Sequence, residues 1–331
     1  MTSATVTLQG CRALFFDTDR RDPSTVTEVS QAFLQPRVMI PFMIITLIGG
    51  STWIVIKDQL AVVPPGWSVA YRYIIASLAM FAYGAAKGLT LRIGREGHLL
   101  AAAFGLPQFF LTFNFVYSAE HYITSGLVAL VFALLLVPNS ILAWVFLKQK
   151  LTQQFLSGSG VAVIGVALLF TNEVRETAVG PAAVVTGIVL TMLAVLSASV
   201  AHIILATEKL RARPIITILA WGMLYGTMAN ALFAFIIHGP PVVEDRIGYW
   251  LGLIYLALFA SALAFVLFIK ILREVGPGRA AYSSLLVPIL AMFFSTVLED
   301  YRWTLLAGGG CSLALLGLFI ALNSAKPAAA E

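Results

Sequence analysis

The sequence is poor in charge. Of its 331 residues only 11% are Asp, Glu, Lys or Arg, against 60% hydrophobic. Mean hydropathy is +0.91. Soluble domains carry about 25% charged residues, so a soluble fold with one apolar core is excluded, and lipid must be the solvent for much of the surface. Cysteine is scarce too. Cys11 lies in a polar N-terminal stretch and Cys311 in a late apolar one. That separation excludes a disulfide framework and a cysteine metal site. There is no Gly-rich phosphate loop, no His or Cys metal spacing and no pair of carboxylates inside an apolar run. These gaps argue against an enzyme and against any cofactor. The net charge of +5 does not signal nucleic acid, because the basic residues are scattered between apolar runs.

What is present is a series of long apolar runs. Stretches free of Asp, Glu, Lys and Arg cover 38–56, 59–86 (interrupted by Arg72), 97–119, 121–147, 151–172, 177–207, 214–243, 247–269, 280–298 and 303–325. A membrane helix needs about 20 mostly apolar residues, and each run is long enough. The runs are continuously apolar, without the in-out alternation of a membrane strand. The expectation is an all-α integral membrane protein of ten transmembrane helices. Residues 1–36 are polar, mixed in charge and without the features of a signal peptide. They read as a flexible cytoplasmic tail, and 324–331 as a short C-terminal one.

Basic residues set the orientation. With the N-terminus in the cytoplasm, sixteen of the 21 Lys and Arg fall on the inner side, four on the outer side, and Arg72 within a span. The bias supports an even number of spans, with both termini cytoplasmic.

The chain also repeats itself. Val137-Pro138, the turn at Leu147-Lys148, and Gly158 and Gly160 match Val287-Pro288, the turn at Val297-Leu298, and Gly308 and Gly310, all at an offset of 150. Tyr117–Glu120 sets against Ile271–Glu274 at an offset of 154. An offset of five spans is odd, so the halves face opposite ways, as inverted repeats do in many secondary transporters. The halves are expected at 37–173 and 177–323.

In this order these segments resemble the EamA family of the drug/metabolite transporter superfamily, over about residues 38–323. Gly50-Ser51-Thr52-Trp53 is like the family's "WGS" segment. Tyr71-Arg72-Tyr73 is like its "LRF" segment. Phe113-Asn114-Phe115, with Tyr117–Glu120, is like its third-span signature. The "GE" turn that comes after the proline in the family survives only in part, as Lys148-Gln149 and Leu298-Glu299-Asp300. The resemblance implies two inverted five-helix halves around a central cavity and transport of small metabolites, often export of amino acids. It implies no cofactor.

A transporter needs polar groups near the midplane, where facing lipid would be costly. Arg72 could hold a substrate carboxylate or phosphate by a bidentate pair, or snorkel to headgroups. Trp53 reads as cavity lining or packing. Asn114 reads as substrate contact or as glue between helices. Tyr117, Asn139, His202, Trp221, Tyr225, Tyr282 and Ser283 complete the candidate substrate-binding set. Trp221 and Tyr225, four apart, share one helix face. Glu120 and His121 read as an outer gate or a proton-sensitive coupling pair with Arg72 or Lys57, or as a solvated loop. Pro138 and Pro288 each remove a backbone hydrogen bond and are candidate hinges.

The functional expectation is a secondary transporter, an exporter of small metabolites with amino acids the leading class, working by alternating access across the inner membrane as a monomer or homodimer. The alternatives are a nucleotide-sugar or phosphate-ester exchanger and a non-transporting membrane scaffold or sensor. The expected partners are a small-molecule substrate and the lipid bilayer, with no nucleic acid.

Overall fold

The computed structural model describes residues 36–148, 150–176, 180–275 and 283–323. The expected tails therefore fall outside it, apart from Pro36, which opens the first helix, and so does the candidate Tyr282. Among the described residues there is no strand. Among them, nine helices are long and apolar enough to cross a membrane, and a shorter apolar helix stands between the last two of these.

In chain order these are α1 (Pro36–Asp58), α2 (Pro65–Ala86), α3 (Arg95–Ala119), α4 (Ser125–Leu147), α5 (Gln153–Glu176), α6 (Pro181–Leu205), α7 (Ile215–His238), α8 (opening at Ile247–Ile254 and closing at Ala264–Val275), α9 (Ser283–Leu298) and α10 (Leu305–Asn323). The shorter helix is α9. Proline opens α1, α2 and α6, where its missing N–H has no intrahelical partner to lose.

Polar contacts tie the connections together at two ends. At one end Glu96, in the first turn of α3, meets Lys209 at 3.1 Å and Arg213 at 3.2 Å, both before α7. This is called the near end. At the far end Arg246 meets Asp58 at 3.1 Å. There Lys57 also donates to the carbonyls of Glu120 and Ile123, and Glu299 accepts from Ser125. The helices thus alternate in direction.

The repeat is visible in packing. In α2 the buried positions Trp67, Ser68, Val69, Ala70, Arg72, Tyr73, Ala76, Ser77, Met80 and Gly84 recur in α7 as Thr217, Ile218, Leu219, Ala220, Gly222, Met223, Gly226, Thr227, Asn230 and Ala234. Every pair is 150 apart. The two helices pack against each other in opposite directions, so the repeat is inverted. Other contacts follow the same exchange. Helix α1 packs on α8 and α9, and its counterpart α6 packs on α3 and α4.

Helices α3 and α8 share a further feature. Each widens into π-helix, over Leu106–Leu111 and Tyr255–Leu263. Thr112 Oγ1 donates to the carbonyl of Pro107 at 2.8 Å, and Ser261 Oγ to that of Leu256 at 2.9 Å. Both reach five residues back, and both ends of the pair are offset by 149. Wide turns of this kind are frequent at functional sites.

Helices α5 and α10 form a separate antiparallel seam of small residues. A Cβ on Gly165 would come 2.3 Å from the Ala314 nitrogen, and one on Gly317 would come 2.2 Å from that of Ala162. Without a hydrophobic drive between helices in lipid, such close backbone contact supplies the association energy.

Candidate functional site

A cavity of about 610 Å³ lies between the halves. Its wall includes the last residue of α6, Leu205, the first of α7, Ile215, and Leu322 near the end of α10, so it reaches the near end. Toward the far end it extends as far as Trp53 and Ala129. Most of the wall is apolar, with Phe132, Leu136, Leu219, Phe265, Phe268 and Val287 prominent. Trp53 packs its ring 5.4 Å from that of Phe132. The polar groups are few. Asn139 Nδ2 lies 3.1 Å from His202 Nδ1, the Asn139 carbonyl oxygen has no partner among the described residues, and Ser283 joins them on the wall. Among the described residues no Lys, Arg, Asp or Glu lines the cavity.

The structure therefore brings five of the sequence candidates together: Trp53, Asn139, His202, Ser283 and Pro288. Others lie elsewhere. Asn114 donates to Asn230 and to the Phe110 carbonyl, and Asn230 donates to the carbonyls of Phe109 and Gly226. That amide ladder joins α3 to α7. Trp221 and Tyr225 do share a face, with stacked rings 6.1 Å apart. That face meets α3 and the connection before it. Trp221 Nε1 donates to the Leu91 carbonyl at 2.9 Å, and the Tyr225 hydroxyl lies 2.9 Å from His98 Nδ1. Pro138 sits one turn past a break in α4 at Leu134-Leu135, between Ser125–Ala133 and Leu136–Leu147. Its counterpart Pro288 lies inside an unbroken helix.

Beyond Trp53 the far end is sealed by a buried polar cluster. Arg72 is 2% exposed, so it does not snorkel to headgroups. Its Nε donates to Ser261 Oγ at 3.1 Å, and its guanidinium stands 4.7 Å over the Phe113 ring and 5.3 Å over that of Tyr73. Nη1 has no hydrogen-bond partner among the described residues. The Tyr117 hydroxyl donates to Gln59 Oε1 at 3.0 Å, and both side chains are fully buried. Glu120 is also fully buried, and neither carboxylate oxygen is hydrogen-bonded among the described residues. Burial pushes its pKa well above the ordinary carboxylate value; Lys57 and Arg72 oppose this and Glu299 adds to it. His121 beside it is exposed, with its pKa lowered by partial burial and by Lys57. The expected pair thus divides, the acid inward and the imidazole outward.

Sequence reasoning missed Phe132, Phe265 and Phe268, which look like any apolar residue of a span. It missed Ser261, whose hydroxyl reaches Arg72 from the wide turn of α8. It also missed Gln59 as a member of the far-end cluster, while Lys57 was named there as a partner of the Glu120–His121 pair.

An inverted pair of helical halves enclosing a sealed-at-one-end cavity defines a multi-pass membrane transporter. The sequence profile of the EamA-like transporter family matches residues 37–171 and again residues 185–323. The chain belongs to that family, within the drug/metabolite transporter superfamily. Among curated proteins it is 21% identical to Protein PagO of Salmonella typhimurium, over 80% of this chain and 84% of that one. It is 25% identical to a Salmonella typhimurium protein named "Probable amino-acid metabolite efflux pump", over 84% of this chain and 92% of that one. A solved crystal structure superposes with a TM-score of 0.62 at 19% identity, over 88% of this chain and 96% of the other, a likeness of fold.

Proposed function

We propose that the protein is a secondary transporter exporting small amphipathic metabolites, amino acids foremost, from the cytoplasm across the inner membrane. The observation that carries this is the cavity, open toward the near end and closed by buried polar residues beyond Trp53. The Lys and Arg bias makes the near end cytoplasmic. The state is then inward-facing, ready to load. Aromatic and aliphatic walls suit an apolar side chain, and the Asn139–His202 pair with Ser283 suits a few polar contacts. Arg72, whose Nη1 lacks a hydrogen bond among the described residues, takes the substrate carboxylate in this reading once the far end rearranges. A phosphate-ester exchanger is disfavoured, because no Lys or Arg among the described residues lines the cavity.

The test is flux of labelled amino acids in proteoliposomes. Arg72→Ala is expected to abolish flux while expression and insertion stay normal, and Phe265→Ala to raise KM with little change in kcat. Unchanged kinetics in Arg72→Ala would remove that residue's role. Absence of flux for every metabolite class in the wild type would favour a scaffold or sensor.

A further inference from the structure

The far-end cluster holds an acid that the transport reading does not use. Glu120 caps the C-terminus of α3 and is fully buried, with both carboxylate oxygens lacking hydrogen bonds among the described residues. The groups facing it come from every neighbouring element. Lys57 comes from α1, Arg72 from α2, Tyr117 from α3 itself, and Glu299 from the connection between α9 and α10. His121 is next in sequence but is exposed. Glu299 is already engaged, accepting from the Ser125 backbone at 3.1 Å and from its hydroxyl at 2.6 Å, at the N-terminus of α4. Lys57 is one of two cations acting on it, yet its ammonium donates to the carbonyls of Glu120 and Ile123. A lysine that passes over a neighbouring carboxyl for two carbonyls is what an uncharged, protonated carboxyl would leave.

We propose that Glu120 is a proton-binding site whose occupancy holds the far end closed, so that transport is linked to protons. This goes beyond the transport reading by naming the co-ion. In the closed state the carboxyl keeps its proton. When the O–H bond breaks, the proton passes to water at the far end and the electron pair stays on the oxygen as carboxylate charge. The Lys57 ammonium then leaves the two carbonyls and pairs with the carboxylate. Those carbonyls lie where α3 hands over to α4, so the exchange loosens α1 from that corner. The effect reaches the substrate wall by a short route. Lys57 and Trp53 are four residues apart and share a face of α1, and Trp53 lines the cavity against Phe132.

The experiment places spin labels at Val62→Cys and Leu305→Cys, both exposed at the far end, in a Cys11→Ser, Cys311→Ala background of the full chain. The inter-label distance is then measured without substrate between about pH 5 and about pH 8, a window that brackets a raised carboxyl value. A short distance at low pH, with a longer population growing as pH rises, is expected for the wild-type cluster. Glu120→Gln, close in shape to the protonated acid, is expected to stay short throughout, while Glu120→Asp keeps the response. A response that survives Glu120→Gln, or disappears with His121→Gln instead, or is absent from the wild type, overturns the proposal. The two readings fail separately. Flux indifferent to a pH gradient, with no Glu120-dependent distance change, removes the proton site alone. A Glu120-dependent change in a protein that moves no solute removes the transport reading alone.

Discussion

Burying Glu120 has a cost that grows with pH. Its folded-state pKa is raised above the ordinary 4.5 by burial, so the folded protein holds a proton that the unfolded chain releases. By linkage, that contribution is complete below the unfolded value and is lost as pH climbs through the folded one. His121, with its pKa lowered from 6.5, acts on the other flank, where stability is lost as pH falls. The melting temperature of the wild type is therefore expected to fall more steeply with rising pH than that of Glu120→Gln, as read by thermal unfolding in detergent. Asn230 makes a different residue-scale case. Removing its amide takes a buried donor from the Phe109 carbonyl and one of the two acceptors from the Asn114 amide. Such a loss costs about 1–3 kcal/mol. Asn230→Ala should lower the melting temperature while leaving substrate KM unchanged, which separates the amide ladder from the cavity.

At the scale of the element, the seam between α5 and α10 is the least forgiving part of the bundle. The backbones approach so closely at Gly165 and Gly317 that a side chain there has nowhere to go. Overpacking of a well-filled interior costs about 1–3 kcal/mol, and Gly165→Val is expected to lower the yield of monodisperse protein and its melting temperature. Gly160, turned toward open space, should accept the same change. Pro138 acts on its own helix in another way. The break at Leu134-Leu135 lies where its ring denies α4 a continuous hydrogen-bond ladder. Pro138→Ala should restore continuity and, if α4 bends during the cycle, lower kcat with KM little changed.

The elements were also where sequence was most readable. Long charge-free runs locate spans because lipid punishes any other choice. The wide turns of α3 and α8 were not readable, since a run that is apolar all round carries no phase from which an inserted residue could be noticed. The same lack hid Phe265 and Phe268 among lipid-facing residues. For Trp221 and Tyr225 spacing correctly put both rings on one face, but nothing local says which helix that face meets. Glu120 was hardest, because its burial is made by α1, α2 and the α9–α10 connection converging on a span end.

For the whole molecule, orientation is read directly by a labelling experiment. A cysteine at Lys209, exposed at the near end, is expected to react with an impermeant thiol reagent only in inside-out vesicles, and one at Val62 only in right-side-out cells. The opposite pattern would make the present state outward-facing and the substrate an import.

One asymmetry bears on what the other state looks like. The two halves are alike in sequence order and packing, yet the widened stretch spans six residues in α3 and nine in α8. A wide turn is a place where a helix can change its winding, so the two halves are wound differently at matching positions. A molecule made of two like halves can reverse the direction it faces by letting each half adopt the other's shape. On that footing the state facing the other way is expected to carry the longer widened stretch in α3 and the shorter one in α8.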